Sequence, residues 1–115
     1  MSGTISTHVL DTARGKPASG VPVRLDWQET PERWRLLSSA TTDQGGRCSQ
    51  LLPEGESLRE GKYRLSFDTE HYFTAHKIAG LYPLVQVVFS VREGEAHFHI
   101  PLLLGPFGYT TYRGS

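Results

Sequence analysis

An antiparallel β-sandwich is the fold class this sequence predicts. Three observations carry it. Short runs of alternating apolar and polar residues recur along the chain. Its 12 glycines and 7 prolines are spread between those runs as punctuation. Only one segment has the features of a helix. Short strands at spacings of roughly 8–15 residues with turn signals between them fit a sandwich better than a parallel α/β sheet.

The elements follow in chain order. "TISTHVLD" is β-rich and ends at the turn signal "ARGKPASG". In "VPVRLDWQ" Val21, Val23, Leu25 and Trp27 share one face, and Arg24, Asp26 and Gln28 the other. "ETPER" breaks that strand, "WRLLSSATTD" forms the next, and "QGG" closes it. Cys48 to Leu52 reads as a short edge strand, and "PEGESLREG" as a loop. "KYRLSFDT" alternates again, with Tyr63, Leu65 and Phe67 together. "EHYFTAHKIAG" is the helix, with Thr69 as N-cap, Glu70 in the first turn and Gly80 beyond its end. "LVQVVFSVRE" and "AHFHIPLLL" are strands joined through Glu93, Gly94 and Glu95, and "YTTYR" is the last β-rich run. Pro83 and Pro101 fall where a missing N–H is tolerated, at strand ends or an edge.

Composition narrows the function classes. With 115 residues the chain is read as one domain, 1–115, with one core. Twelve basic residues balance twelve acidic ones, so no net field draws nucleic acid or an anionic membrane. No run approaches the ~20 apolar residues of a membrane helix. The N-terminus has no signal-peptide pattern, and the single cysteine, Cys48, forms no internal disulfide. A cytoplasmic protein is the expectation.

The candidate chemistry lies in histidines and one arginine. His71 and His76 are five apart in the helix, which is not the spacing of one helical face, so they are read as solvated or structural. His97 and His99 share a strand face, because side chains in a strand repeat every two residues. His8 lies on another strand. These three histidines allow a metal site, a proton-transfer site, or a hydrogen-bonded sheet surface. A lone His-x-His with no carboxylate or thiol beside it is a weak metal signal, and no metal is expected. Arg47 follows two glycines, as either a turn arginine or a fork for an oxygen-rich planar ligand. The terminal "YRGS" adds Tyr112, Arg113 and the hydroxyl and carboxylate of Ser115. Chain ends usually fray, and a tail this rich in chemistry reads as docked.

Three stretches resemble the 5-hydroxyisourate hydrolase family, the transthyretin-related enzymes of purine breakdown. They are "STHVLDTARGKPASGVPV" at 6–23, "TTDQGGR" at 41–47 and "HFHIPLLLGPFGYTTYRGS" at 97–115. The ending "YRGS" resembles the signature that separates these hydrolases from the carrier transthyretins. Phe98 stands where tyrosine is more usual and Gly105 where serine is common.

The resemblance implies a transthyretin-like sandwich of two four-stranded sheets, with a short helix after the fifth strand. It implies a homotetramer, a dimer of dimers, with active sites in the channel between dimers. It implies hydrolysis of 5-hydroxyisourate to 2-oxo-4-hydroxy-4-carboxy-5-ureidoimidazoline, with no cofactor and no metal. By the same resemblance His8 and His99 share acid/base work and Arg47 clamps ring oxygens. Ser115 positions water or substrate, and Tyr112 and Arg113 line the pocket and anchor the tail. Which histidine is base, and what His97 does, stay open. The alternative is a non-enzymatic transthyretin-like module that carries a small ligand.

Overall fold

The computed structural model describes residues 3–115, and two sheets face each other across one core. The first sheet holds β1 (Thr4–Asp11), β2 (Lys16–Pro17), β5 (Arg47–Cys48), β8 (His97–Gly105) and β9 (Gly108–Thr111). The second holds β3 (Pro22–Thr30), β4 (Arg33–Thr41), β6 (Gly61–Phe67) and β7 (Val85–Val91) in the order β4-β3-β6-β7. The one helix, α1 (Thr69–Ala75), follows β6.

The expected sandwich is present, with two corrections. The first sheet has five strands rather than four. Its extra members, β2 and β5, are two residues each and pair with the same strand, β2 at Leu10 and Asp11, β5 at Thr7 and His8. Together they act as one interrupted neighbour of β1. The 16–17 pair lay hidden inside what reads as a turn. The second correction is direction. β1 and β8 run parallel over their whole length, Thr4 opposite His97 through Asp11 opposite Leu104, while the other ladders are antiparallel. Strands so far apart in sequence need no hairpin, so alternation cannot reveal their relative direction.

Alternation sets which side chains face inward. On β1, Ile5 and Val9 are fully buried, while Thr4, Ser6, His8 and Leu10 lie on the outer face. On β8, Phe98, Ile100, Leu102 and Leu104 fill the core, which leaves His97 and His99 outside. Val23, Leu25, Tyr63, Leu65 and Phe67 oppose them from the second sheet. A slip of one residue in β1 would turn Ile5 and Val9 to water. At about 1.5–3 kcal/mol for each side chain, that costs about 3–6 kcal/mol. The polar face of β3 is less exposed than alternation suggests. Asp26 is buried beside a register shift and accepts from Arg64 at 3.1 and 3.2 Å.

The helix is shorter than expected and starts one residue earlier. Asp68, not Thr69, is the N-cap and accepts from the His71 amide at 3.0 Å. Thr69 is buried, and its hydroxyl donates to the Tyr82 carbonyl. The last turn closes at Lys77, whose positive φ of 59° ends the helix before Gly80. Gly80 instead lies against the Phe73 ring, where a Cβ would overlap.

Pro101 sits mid-strand in β8, not at a strand end, opposite His8 of β1. Its carbonyl accepts from the Thr111 hydroxyl at 2.8 Å, so this peptide edge faces away from β1. The β8–β9 ladder has already ended, at Leu102 opposite Thr111. The missing N–H falls where no strand partner waits, so the strand tolerates it.

A tight loop brings β5 to β1. Asp43 Oδ1 accepts from the amides of Gly45 and Arg47 at 2.9 Å each, and Gly46 donates to the Asp43 carbonyl at 2.9 Å. Gly46 has a φ of 77°, and its α-carbon passes so close to the Val9 carbonyl that a Cβ would overlap it. Gly46→Ala is therefore expected to lower stability by at least about 1–3 kcal/mol, the usual cost of such backbone strain. Urea unfolding at fixed protein concentration checks it, and an unchanged midpoint would refute the close approach.

Candidate active site

The outer face of the first sheet brings together three of the residues singled out in the sequence. β1 supplies His8, β5 supplies Arg47 directly opposite it, and β8 supplies His99, opposite Ser6. Residues 8, 47 and 99 are far apart in the chain, yet they occupy one patch because β1 lies between β5 and β8. Among the described residues Arg47 enters no ion pair, which leaves its guanidinium available to a ligand. Bidentate recognition of oxygen is the chemistry that fork serves.

His99 is the most constrained of the three. Its Nδ1 lies 2.8 Å from the Ser6 hydroxyl, and its carbonyl accepts from the Gly114 amide at 2.7 Å. The tail thus bridges onto β8 at His99. A Cβ on Gly114 would stand 2.6 Å from His99 Cδ2, so only glycine lets the tail pass this close. Partial burial lowers the His99 pKa below its ordinary value, and the neighbouring His8 and Arg47 add to the effect. A ring held neutral near pH 7 can accept a proton.

His97 differs. It is exposed, and its Nδ1 lies 2.9 Å from the Thr4 hydroxyl. Its carbonyl accepts from Arg113 Nη2 at 3.1 Å. Arg113 also pairs with Glu95 at 3.0 Å and lies 4.3 Å from the centre of the Phe98 ring. Arg113 thus anchors the tail and does not turn toward His99. Tyr112 and Arg113 line a different concavity of about 190 Å³, at the open edge between β7 and β9, with Phe89 and Phe98. Ser115 follows Gly114, the residue that bridges to His99, and its carboxylate enters no ion pair among the described residues.

The remaining candidates stay apart from this patch. His76 meets Arg14 at 3.2 Å and stacks obliquely on Tyr72, so it braces the helix. Cys48 is buried, and burial followed by the nearby Asp43 pushes its thiol up to about 11, too high for a thiolate nucleophile. Among the described residues no group of three or more His, Cys, Asp or Glu is arranged to hold a metal ion. Ser6 was missed by reasoning from sequence. The available signal was its position two before His8, on the same strand face.

The model of the HIUase/Transthyretin family matches residues 5–114. The chain is 45% identical to the 5-hydroxyisourate hydrolase of Mus musculus, over 99% of this chain and 97% of that protein. Among solved structures, the 5-hydroxyisourate hydrolase of Klebsiella pneumoniae superposes with a TM-score of 0.85 at 36% identity, covering 100% of both chains. Sea bream transthyretin in complex with thyroxine superposes with a TM-score of 0.89 at 30% identity, over 96% of this chain and 94% of that one. Backbone shape therefore does not divide hydrolase from hormone binder, whereas the near-complete sequence match leaves the family itself in no doubt: the chain belongs to the HIUase/Transthyretin family.

Proposed function

We propose that this protein is an enzyme of urate breakdown that hydrolyses 5-hydroxyisourate to 2-oxo-4-hydroxy-4-carboxy-5-ureidoimidazoline. The observation that carries the reading is the convergence of His8, Arg47 and His99 on one sheet face, with His99 biased toward its neutral form. The 45% identity to a protein named 5-hydroxyisourate hydrolase supports the substrate.

The chemistry needs no covalent nucleophile. A water oxygen bonds to a ring carbonyl carbon while its proton passes to a histidine. The ring C–N bond then breaks, and a proton is returned to the leaving nitrogen. His99 is assigned the base, and His8 the orientation of water or protonation of nitrogen. Arg47 holds the ring oxygens and meets the charge that develops on the attacked carbonyl. Ser115, next to Gly114, positions water or substrate. Tyr112 and Arg113 shape the pocket wall and anchor the tail, in a site lined by more than one subunit.

That last assignment belongs to a homotetramer, a dimer of dimers with its sites between dimers. Its support is that the patch lies on an open sheet face, and that β7 and β9 are free sheet edges. Among the described residues no helix is long and apolar enough to cross a membrane. We place the protein in the cytoplasm as part of this proposal.

A small-ligand carrier is the second reading, favoured by the close superposition on the thyroxine complex. Ultraviolet absorbance of fresh 5-hydroxyisourate, made from urate by urate oxidase, separates the two. Accelerated decay is expected, and decay at the spontaneous rate would leave the carrier. His99→Ala should then cost roughly 10²–10⁴ in rate, the usual span for a general base.

The pH profile has a defined sign. His99 must be neutral to accept a proton, and its pKa lies below the ordinary ~6.5. The acid limb of kcat/KM is therefore expected below that pH, with a plateau above it. A limb above pH 7 would remove His99 as the base. Removing Gly114 and Ser115 should cut activity by about 10²-fold, the cost of a small misplacement of reacting groups, with the assembly intact by light scattering. Dissociation without any loss per assembled molecule would make the tail purely structural.

A further inference from the structure

We propose that Ser6 is a positioning residue that fixes the tautomer of His99, accepting from its Nδ1–H so that Nε2 carries the lone pair and faces the reacting water. The inference rests on the assignment of His99 as base.

The ring's surroundings fix its orientation. Nδ1 is 2.8 Å from the Ser6 hydroxyl on the β1 side. Cδ2 faces the opposite side, against Gly114 of the tail. In an imidazole Nε2 is bonded to Cδ2 and is remote from the Cβ attachment. Nε2 is therefore the outer nitrogen, on the flank where the chain continues to Ser115. It has no hydrogen-bond partner within the subunit among the described residues, whereas Nδ1 is already engaged. A free ring nitrogen beside the tail is where a water molecule can be held and deprotonated.

A hydroxyl can either donate or accept, so the Ser6–His99 bond could in principle hold either neutral tautomer. Only one of them leaves Nε2 able to take a proton. With Nδ1–H donating to Ser6, the same bond also survives when Nε2 is protonated. The imidazolium formed during water attack then keeps its partner and need not rotate. Were the hydroxyl the donor, Nε2 would carry the ring's proton, and protonation of Nδ1 would force the bond to invert. His8 from β1 and Arg47 from β5 face the same patch and oppose a charged ring at rest. Partial burial first, and these two groups second, favour the neutral state, and Ser6 selects which neutral form it is. Thr4 stands in the same relation to His97 at 2.9 Å, but that ring is exposed.

The test combines rate and spectroscopy. In the wild-type protein, ¹⁵N chemical shifts of the His99 ring at pH 8 are expected to show protonated Nδ1 and bare Nε2. Ser6→Ala is expected to lower kcat by about 10–100-fold, the range for groups that orient a working histidine, with KM within about twofold. Ser6→Thr keeps the hydroxyl and should restore most of kcat. A wild-type ring protonated at Nε2, or a Ser6→Ala variant with unchanged kcat, overturns the proposal. His99→Ala assayed in parallel separates the two levels. If it is inactive while Ser6→Ala is unaffected, the role of Ser6 fails alone, and if it is fully active, the assignment of His99 fails first.

Discussion

The parallel ladder between β1 and β8 is the constraint on which the site depends. It places His8 and His99 on one face only because Ile5, Val9, Phe98 and Ile100 are held on the other. The hydrophobic core thus aims the polar residues. Nothing in the patch itself has to supply that energy, since a register slip would cost a large part of the 5–15 kcal/mol that a domain of this size has in reserve. The loop ahead of β5 adds the third residue by the same logic. Asp43 and Gly46 shape a turn tight enough for a two-residue strand to reach β1, and Arg47 is delivered opposite His8.

The electrostatics of the patch run against charge accumulation. A cation, Arg47, faces the same patch as two imidazoles, and burial, with His8 and Arg47 adding to it, biases His99 toward its neutral form. That arrangement suits a reaction in which the ring must accept a proton and a nearby oxygen must become negative. Burial is the larger cause of the shift and His8 and Arg47 the smaller ones, so the basicity of His99 is set mostly by how its neighbours cover it.

Much of this was legible in the sequence, because period-two alternation is written directly in residue types. Most strands, the inward faces of Val21 to Leu25 and Tyr63 to Phe67, and the shared face of His97 and His99 followed from it, while the edge strand expected at Cys48 to Leu52 is only Arg47–Cys48. Three motif stretches then carried the family. What stayed hidden depends on long-range geometry. The parallel sense of β1 and β8, the two-residue strand at Lys16 and Pro17, and the register that sets Ser6 against His99 leave no local periodic trace. The helix end was misplaced because Gly80 reads as a C-cap, while its actual constraint is contact with Phe73. The partners that anchor Arg113, Glu95 and the His97 carbonyl, were likewise not legible as a local pattern.

The wall beside His99 Cδ2 is main chain, since Gly114 offers no side chain there and tolerates none. A wall of that kind cannot be whittled back by substitution. Larger residues at position 114 can only intrude, and no smaller one exists. Any widening of the patch must therefore come from a boundary other than position 114.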